Sequence, residues 1–156
     1  MKKVSALLAM LMAVFCLASC SNDSSDVKEV KLTEVYDAIA EKMTLPAMYD
    51  MSADQVSEQI GIPADSVKQG VYKRSEDASK VDQMIMVEAV DEEKAKEINE
   101  LLISYRKSLV DQSTNYDASA AKILEGCSVR QDGNFVCLLI TENASEASQI
   151  YGENIK

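Results

Sequence analysis

The 156-residue chain contains no histidine and no tryptophan. Without histidine, Ser-His-Asp and Cys-His nucleophilic sites cannot form, and the commonest zinc and iron ligand sets are gone. Its five glycines, at positions 61, 70, 126, 133 and 152, are too scattered to build a Gly-rich phosphate cradle. Basic runs are missing as well: the densest cluster, Lys73-Arg74, is flanked by Glu76 and Asp77. With 16 basic against 26 acidic residues the formal charge is -10, and nucleic acid, which is bound by basic patches, is not an expected partner. No apolar run is long enough for a permanent membrane span. The longest, Val4 to Leu17, would reach roughly 21 Å as a helix, short of a hydrocarbon core of roughly 30 Å.

That run has a different use. Lys2 and Lys3 precede it, and Leu17-Ala18-Ser19-Cys20 ends it, the layout of an export signal closed by small residues. The last four residues resemble the lipobox of bacterial lipoproteins at every position. The resemblance implies that residues 1–19 are removed and that the Cys20 thiol receives diacylglycerol. Two acyl chains anchor stably where one holds only marginally. The expected location is the extracytoplasmic face of the cell membrane, with the bilayer as the first partner. Loss of Lys2 and Lys3 leaves 14 basic against 26 acidic residues, a charge of -12 that favours solubility and keeps the domain off anionic headgroups. Residues 20–31, opening Ser21-Asn22-Asp23-Ser24-Ser25-Asp26 after the cysteine, have little to bury and read as a flexible tether.

Residues 32–156 suit a single domain with its own core. Thr33 is the expected N-cap of a helix whose apolar stripe runs Leu32, Val35, Tyr36, Ile39 and Met43 and which Pro46 limits. Ser52-Ala53-Asp54-Gln55 has the form of a capping box, opening a short helix that Gly61 and Pro63 stop. Strands are expected near 66–74 and 83–90. In the second, Met84, Met86 and Glu88 share one face and Ile85, Val87 and Ala89 the other. Asp91 caps the longest helix, with Glu92 and Glu93 in its first turn and a stripe of Ala95, Ile98, Leu101, Leu102, Tyr105 and Leu109.

Further strands are expected near 122–131 and 134–141, joined by an Asp132-Gly133 turn. Asn143-Ala144-Ser145-Glu146 reads as a second capping box, opening a terminal helix. A shift of 52 residues superposes Asp91 on Asn143, Ala95 on Ala147 and Ile98 on Ile150, so a strand-strand-helix unit occurs twice, by structural repetition or by common strand-helix grammar. The expected fold class is α+β: an antiparallel four-stranded sheet with the helices beginning near Asp91 and Asn143 packed on the same face.

The lipobox, the Leu-x-x-Val-Tyr-x-x-Ile opening (Leu32, Val35, Tyr36, Ile39), the Ile60-Gly61-Ile62 step and Gly133-Asn134-Phe135-Val136 together resemble a family of small Firmicutes lipoproteins known as a domain of unknown function (DUF family 4358). The resemblance covers nearly the whole chain. It implies an exported single-domain lipoprotein and carries over no catalytic residue, ligand or mechanism. Cys127 and Cys137 are not part of the pattern.

What chemistry remains is sparse. Ser104-Tyr105-Arg106-Lys107 has the Ser-x-x-Lys spacing of lysine-activated serine nucleophiles, but it falls late in an amphipathic helix without the companion motifs. Glycoside hydrolysis needs a carboxyl group in an apolar setting, whereas Glu92, Glu93, Glu97 and Glu100 fall on exposed helical faces. Asp132-Gly133-Asn134 matches part of a calcium loop whose remaining ligands are missing, and a hairpin turn explains it. Met43, Met84 and Met86 suit a core. Met48, Tyr49 and Met51, in an expected loop, are the candidate interaction surface.

Export permits a disulfide between Cys127 and Cys137. An Asp132-Gly133 turn would put the two on opposite faces; a three-residue Gln131-Asp132-Gly133 loop would set them opposite each other in register. Two free thiols are expected. Taken together, the residues point to a non-catalytic binding or interaction module of the cell envelope, with no cofactor, no metal and an envelope protein, peptide or wall component as partner. The alternative is a carboxylate-dependent cell-surface hydrolase acting on wall glycan.

Overall fold

All seven residues of the strand Gln83–Ala89 are buried, so both of its faces are covered. That strand is the centre of the computed structural model, which describes residues 29–156; the lipobox residues Leu17, Ala18, Ser19 and Cys20 lie outside the described residues. In chain order the elements are α1 (Leu32–Lys42), β1 (Met48–Asp50), α2 (Ala53–Gln59), a 3₁₀ turn (Ala64–Ser66), β2 (Val67–Ser75), β3 (Gln83–Ala89), α3 (Glu92–Ser113), α4 (Ala118–Gly126), β4 (Val129–Asp132), β5 (Phe135–Ile140) and α5 (Ala144–Asn154). The strands form one antiparallel sheet in the order β1-β2-β3-β5-β4. The class is α+β, with five strands where the sequence reading expects four.

Alternation along β3 divides the core in two. Ile85, Val87 and Ala89 point to one side, where Ala95, Ile98, Leu102 and Tyr105 of α3 meet them together with Leu124 of α4 and Val56 of α2. Met84 and Met86 point to the other side, against Leu32, Val35 and Ile39 of α1 and Ala147, Ile150 and Tyr151 of α5. The architecture is therefore three layers, helices on both faces of the sheet. The expectation that the helices after Asp91 and Asn143 share a face is wrong, and the repeat by a 52-residue shift fails with it: Ile98 and Ile150 are buried on opposite sides. An amphipathic stripe fixes that a helix covers a sheet, and either face satisfies it equally.

Local signals decide most element starts. Ser52 and Gln55 form the reciprocal capping box at α2, and the Asp91 carboxylate accepts from Lys94 N–H at 2.8 Å to open α3. Two expected caps are absent. Thr33 lies inside the first turn of α1; Lys31 is the N-cap and offers no side-chain bond, while Leu32 N–H donates to Gln69 Oε1 of β2 at 2.9 Å. Asn143 likewise makes no side-chain cap at α5.

The strand expected near 122–131 is also corrected. Asp117 accepts from the N–H groups of Ser119 and Ala120, starting α4, and of that stretch only Val129–Asp132 is strand. Pairing of Asp132 with Phe135 makes Gly133-Asn134 the two-residue turn, one step later than expected, with Gly133 at φ 57°. Glycine accepts that left-handed conformation without a Cβ penalty.

Candidate functional site

The two ends of the sheet differ in what they carry. At one end Val67 pairs with Ala89, and Glu88 with Phe135; at the other Arg74 pairs with Gln83, and Gln83 with Ile140. The described chain enters at the first end. There Gln69 donates to Val30 C=O at 2.7 Å and to Glu88 Oε2 at 2.5 Å, while Lys68 reaches Glu88 Oε1 at 2.8 Å. Burial raises the carboxyl pKa of Glu88, but the hydrogen bonds from Gln69 and Lys68 outweigh it and hold the net value below the ordinary one.

The far end opens a groove of about 740 Å³ between α4 and the start of α5. Beyond the end of β5, Thr141-Glu142-Asn143 turns the chain into α5 and forms one wall, and Ser119, Lys122 and Ile123 of α4 form the other. Ile123 and Ala144 also pack on the α3-side core, which gives the groove an apolar base under a polar rim. Two smaller hollows share its walls. One of about 330 Å³ extends toward Leu45, Pro46 and Asp82, and one of about 320 Å³ toward Ser128, Leu139 and Cys137.

Several contacts hold the walls in place. Asp117 caps the start of α4 as described, and Arg106 of α3 donates to Leu124 C=O near its end at 3.0 Å. The Cys127 thiol sits 3.1 Å from Ile123 C=O and 3.9 Å from Thr141 C=O, between the two walls. Burial pushes its pKa up, so it is a neutral packing group and weak donor and not a thiolate nucleophile. Lys122, Glu142 and Glu146 are exposed and Asp82 is half-buried. Neither exposed acid of the groove has the apolar setting that a general acid needs. Among the described residues no group of three or more His, Cys, Asp or Glu side chains could hold a metal ion.

The residues singled out in the sequence do not converge. Met51 is buried at 7% exposure in the α3-side core, and Tyr49 packs against the same core. Met48 packs instead against the α1-side core. The expected loop is the edge strand β1, whose alternation sends these side chains to different sides of the sheet, so they make no single apolar patch. Ser104 and Lys107 are solvent-exposed on α3. Asp132 is engaged by Arg130 at 2.6 Å. Met43, Met84 and Met86 are core residues. Cys127 and Cys137 are both buried and free. The groove itself escapes the sequence reading because it depends on α4; the signal that could have found it is the Asp117 cap followed by Ala118, Ala120 and Ala121.

Among the described residues no helix is long and apolar enough to cross a membrane. No curated protein and no solved structure matches the chain. The profile of the family described as "Domain of unknown function (DUF4358)" matches residues 41–141, which takes in every strand, α2 to α4 and one wall of the groove. The chain belongs to this DUF4358 family.

Proposed function

We propose that the mature protein is a lipid-anchored, extracytoplasmic binding module that presents the groove between α4 and α5 to a partner in the cell envelope and turns nothing over. The observation that carries this reading is polar: the chain enters the domain at the Gln69–Glu88 end of the sheet, and the groove opens at the other. With Cys20 acylated, the tether up to Val30 spans at most about 35 Å. A domain held that way is free to turn the groove away from the headgroups. Tethering also raises the effective concentration for partners in the same envelope.

The hydrolase alternative draws less support. Its two carboxylates require one desolvated partner, and Glu142 and Glu146 stand in solvent.

Two experiments test the proposal. Replacement of Cys20 by Ala abolishes lipid labelling and leaves misprocessed precursor; normal labelling would remove the anchor from the reading. Replacement of exposed Ser119 and Gln149 by Arg fills the groove. Crosslinking of the native protein in its membrane then loses an adduct that the unaltered protein forms. Retention of every adduct overturns the groove as the binding surface, and turnover of wall glycan or peptide by the purified protein overturns the non-catalytic reading.

A further inference from the structure

A second site lies outside that groove, on the open edge of β2. The edge strand β1 covers only the last third of β2: its pairs are Met48 with Ser75, Tyr49 with Arg74 and Asp50 with Lys73. Glu76 N–H donates to Ala47 C=O, and Met51 N–H donates to Tyr72 C=O at 2.9 Å, after which the chain turns away into α2. These bonds establish which backbone groups face outward. Even-numbered residues of β2 present their N–H and C=O toward β1, and odd-numbered ones, such as Ser75 bonding to Asp82, toward β3. The next outward residue after Tyr72 is Gly70. It is exposed and has no backbone partner on that side among the described residues.

A hollow of about 350 Å³ continues the line of β1 along this edge. Tyr36 of α1 stands on one side of the sheet edge, and Tyr72, which packs on the α3-side core, on the other. The Tyr72 ring folds back over Gly70: a Cβ at position 70 would lie 2.5 Å from the far end of the ring and push it aside, whereas the bare Cα lets the ring lie there and leaves room for a close backbone approach. An incoming strand would find side-chain contacts on both faces, as alternation demands.

Charge selects among strands. Lys73 is neutralised by Asp50 at 2.8 Å and lies 5.0 Å over the Tyr36 ring. Asp37, exposed on the rim, makes no ion pair among the described residues, and the chain as a whole carries -10. The edge ends at a register shift between Val67 and Gln69, which limits an added strand to a few residues.

We infer that the edge of β2 at Gly70 docks an extended basic peptide segment of another protein, added as a short strand in line with β1 between Tyr36 and Tyr72. This site is independent of the groove and of the anchor. Acidic charge disfavours a second copy of this chain as the occupant, and likewise its own tether, of which residues 21–28 carry two aspartates against the single Lys28.

The test uses the full chain as isolated from cells and a synthetic decapeptide of alternating lysine and valine. Saturating peptide slows hydrogen exchange of the Gly70 amide at least tenfold. An analogue methylated at alternate backbone nitrogens loses at least tenfold in affinity, and Asp37→Lys weakens the parent peptide severalfold without moving Tm. Equal binding of the methylated analogue would overturn the proposal, since charge alone would then explain the affinity. Binding without protection of Gly70 would also overturn it. So would protection of Gly70 in the absence of peptide, whether concentration-dependent, as for a second copy, or abolished by deleting residues 21–28, as for the tether.

Discussion

Cys127 and Cys137 lie on opposite faces of the sheet. Cys127 ends α4 and is buried in the core beneath α3, while Cys137 of β5 pairs with Arg130 and is buried beneath α1 and α5. A disulfide requires Cβ atoms within about 4.5 Å on converging vectors, and a sheet stands between these two. Burial pushes the Cys137 pKa up to about 12, so its thiolate is scarce at neutral pH.

The folded protein is therefore expected to carry two unmodified thiols even under oxidising conditions. Non-reducing peptide mapping should find no 127–137 linkage, and added reductant should leave Tm unchanged. Alkylation of both thiols should be slow in buffer and rapid in denaturant. A quantitative linkage would contradict the register of β4 and β5.

Met51 should behave as a core residue. Truncating it to Ala removes buried thioether contacts against α2 and β3-side neighbours, and such substitutions cost about 2–5 kcal/mol. Met48→Ala, at a half-buried edge position, should cost less. Urea melts of the two variants check the order, and an unchanged midpoint for Met51→Ala would place that side chain outside the core.

Glu88 predicts a specific acid response. Its folded pKa lies below the ordinary value of 4.5, so its contribution to stability is fully present above that value and is lost as pH falls through the folded pKa. At pH 7 Glu88→Gln should unfold at lower temperature than the unaltered protein, because the bonds to Lys68 and Gln69 lose their charge assistance. As pH falls below about 4.5 and on through the lowered folded pKa, the two melting curves should converge. A gap that stays constant from pH 7 to pH 3 would show that the carboxylate charge contributes nothing.

Asp117→Ala should loosen the groove wall. The side chain satisfies two amide groups at the start of α4, and loss of such a cap costs about 1 kcal/mol. Hydrogen exchange should quicken across the first turn of α4 and remain unchanged in α5. Uniform change across both helices would mean that the cap acts on global stability alone.

Burial of β3 on both faces was partly visible in its residues. Met84 and Met86 beside Ile85, Val87 and Ala89 make both faces apolar, and a strand apolar on both faces calls for two covering layers. Glu88 gives one face a charge, but that carboxylate sits at the entry end, where Lys68 and Gln69 satisfy it. The partner that lets Glu88 share an otherwise apolar face lies 20 residues away in sequence, which no local pattern records.

By itself the sequence determined what is written within a turn or a hairpin: the Ser52–Gln55 box, the Asp91 cap, the Gly133 turn to within one residue and the 3.6-residue stripe of α3. Each depends on groups a few residues apart, so the chain's covalent spacing suffices to bring them together. Tertiary structure alone decided which face each helix covers, that Met48 to Asp50 pairs as a fifth strand, that Leu32 takes its cap from Gln69, and that α4 and Thr141 to Asn143 enclose a groove. In these cases the interacting groups are far apart in sequence. Burial energy depends on the area covered and not on which side of a sheet covers it, so the periodicity that announces an amphipathic helix leaves its destination open.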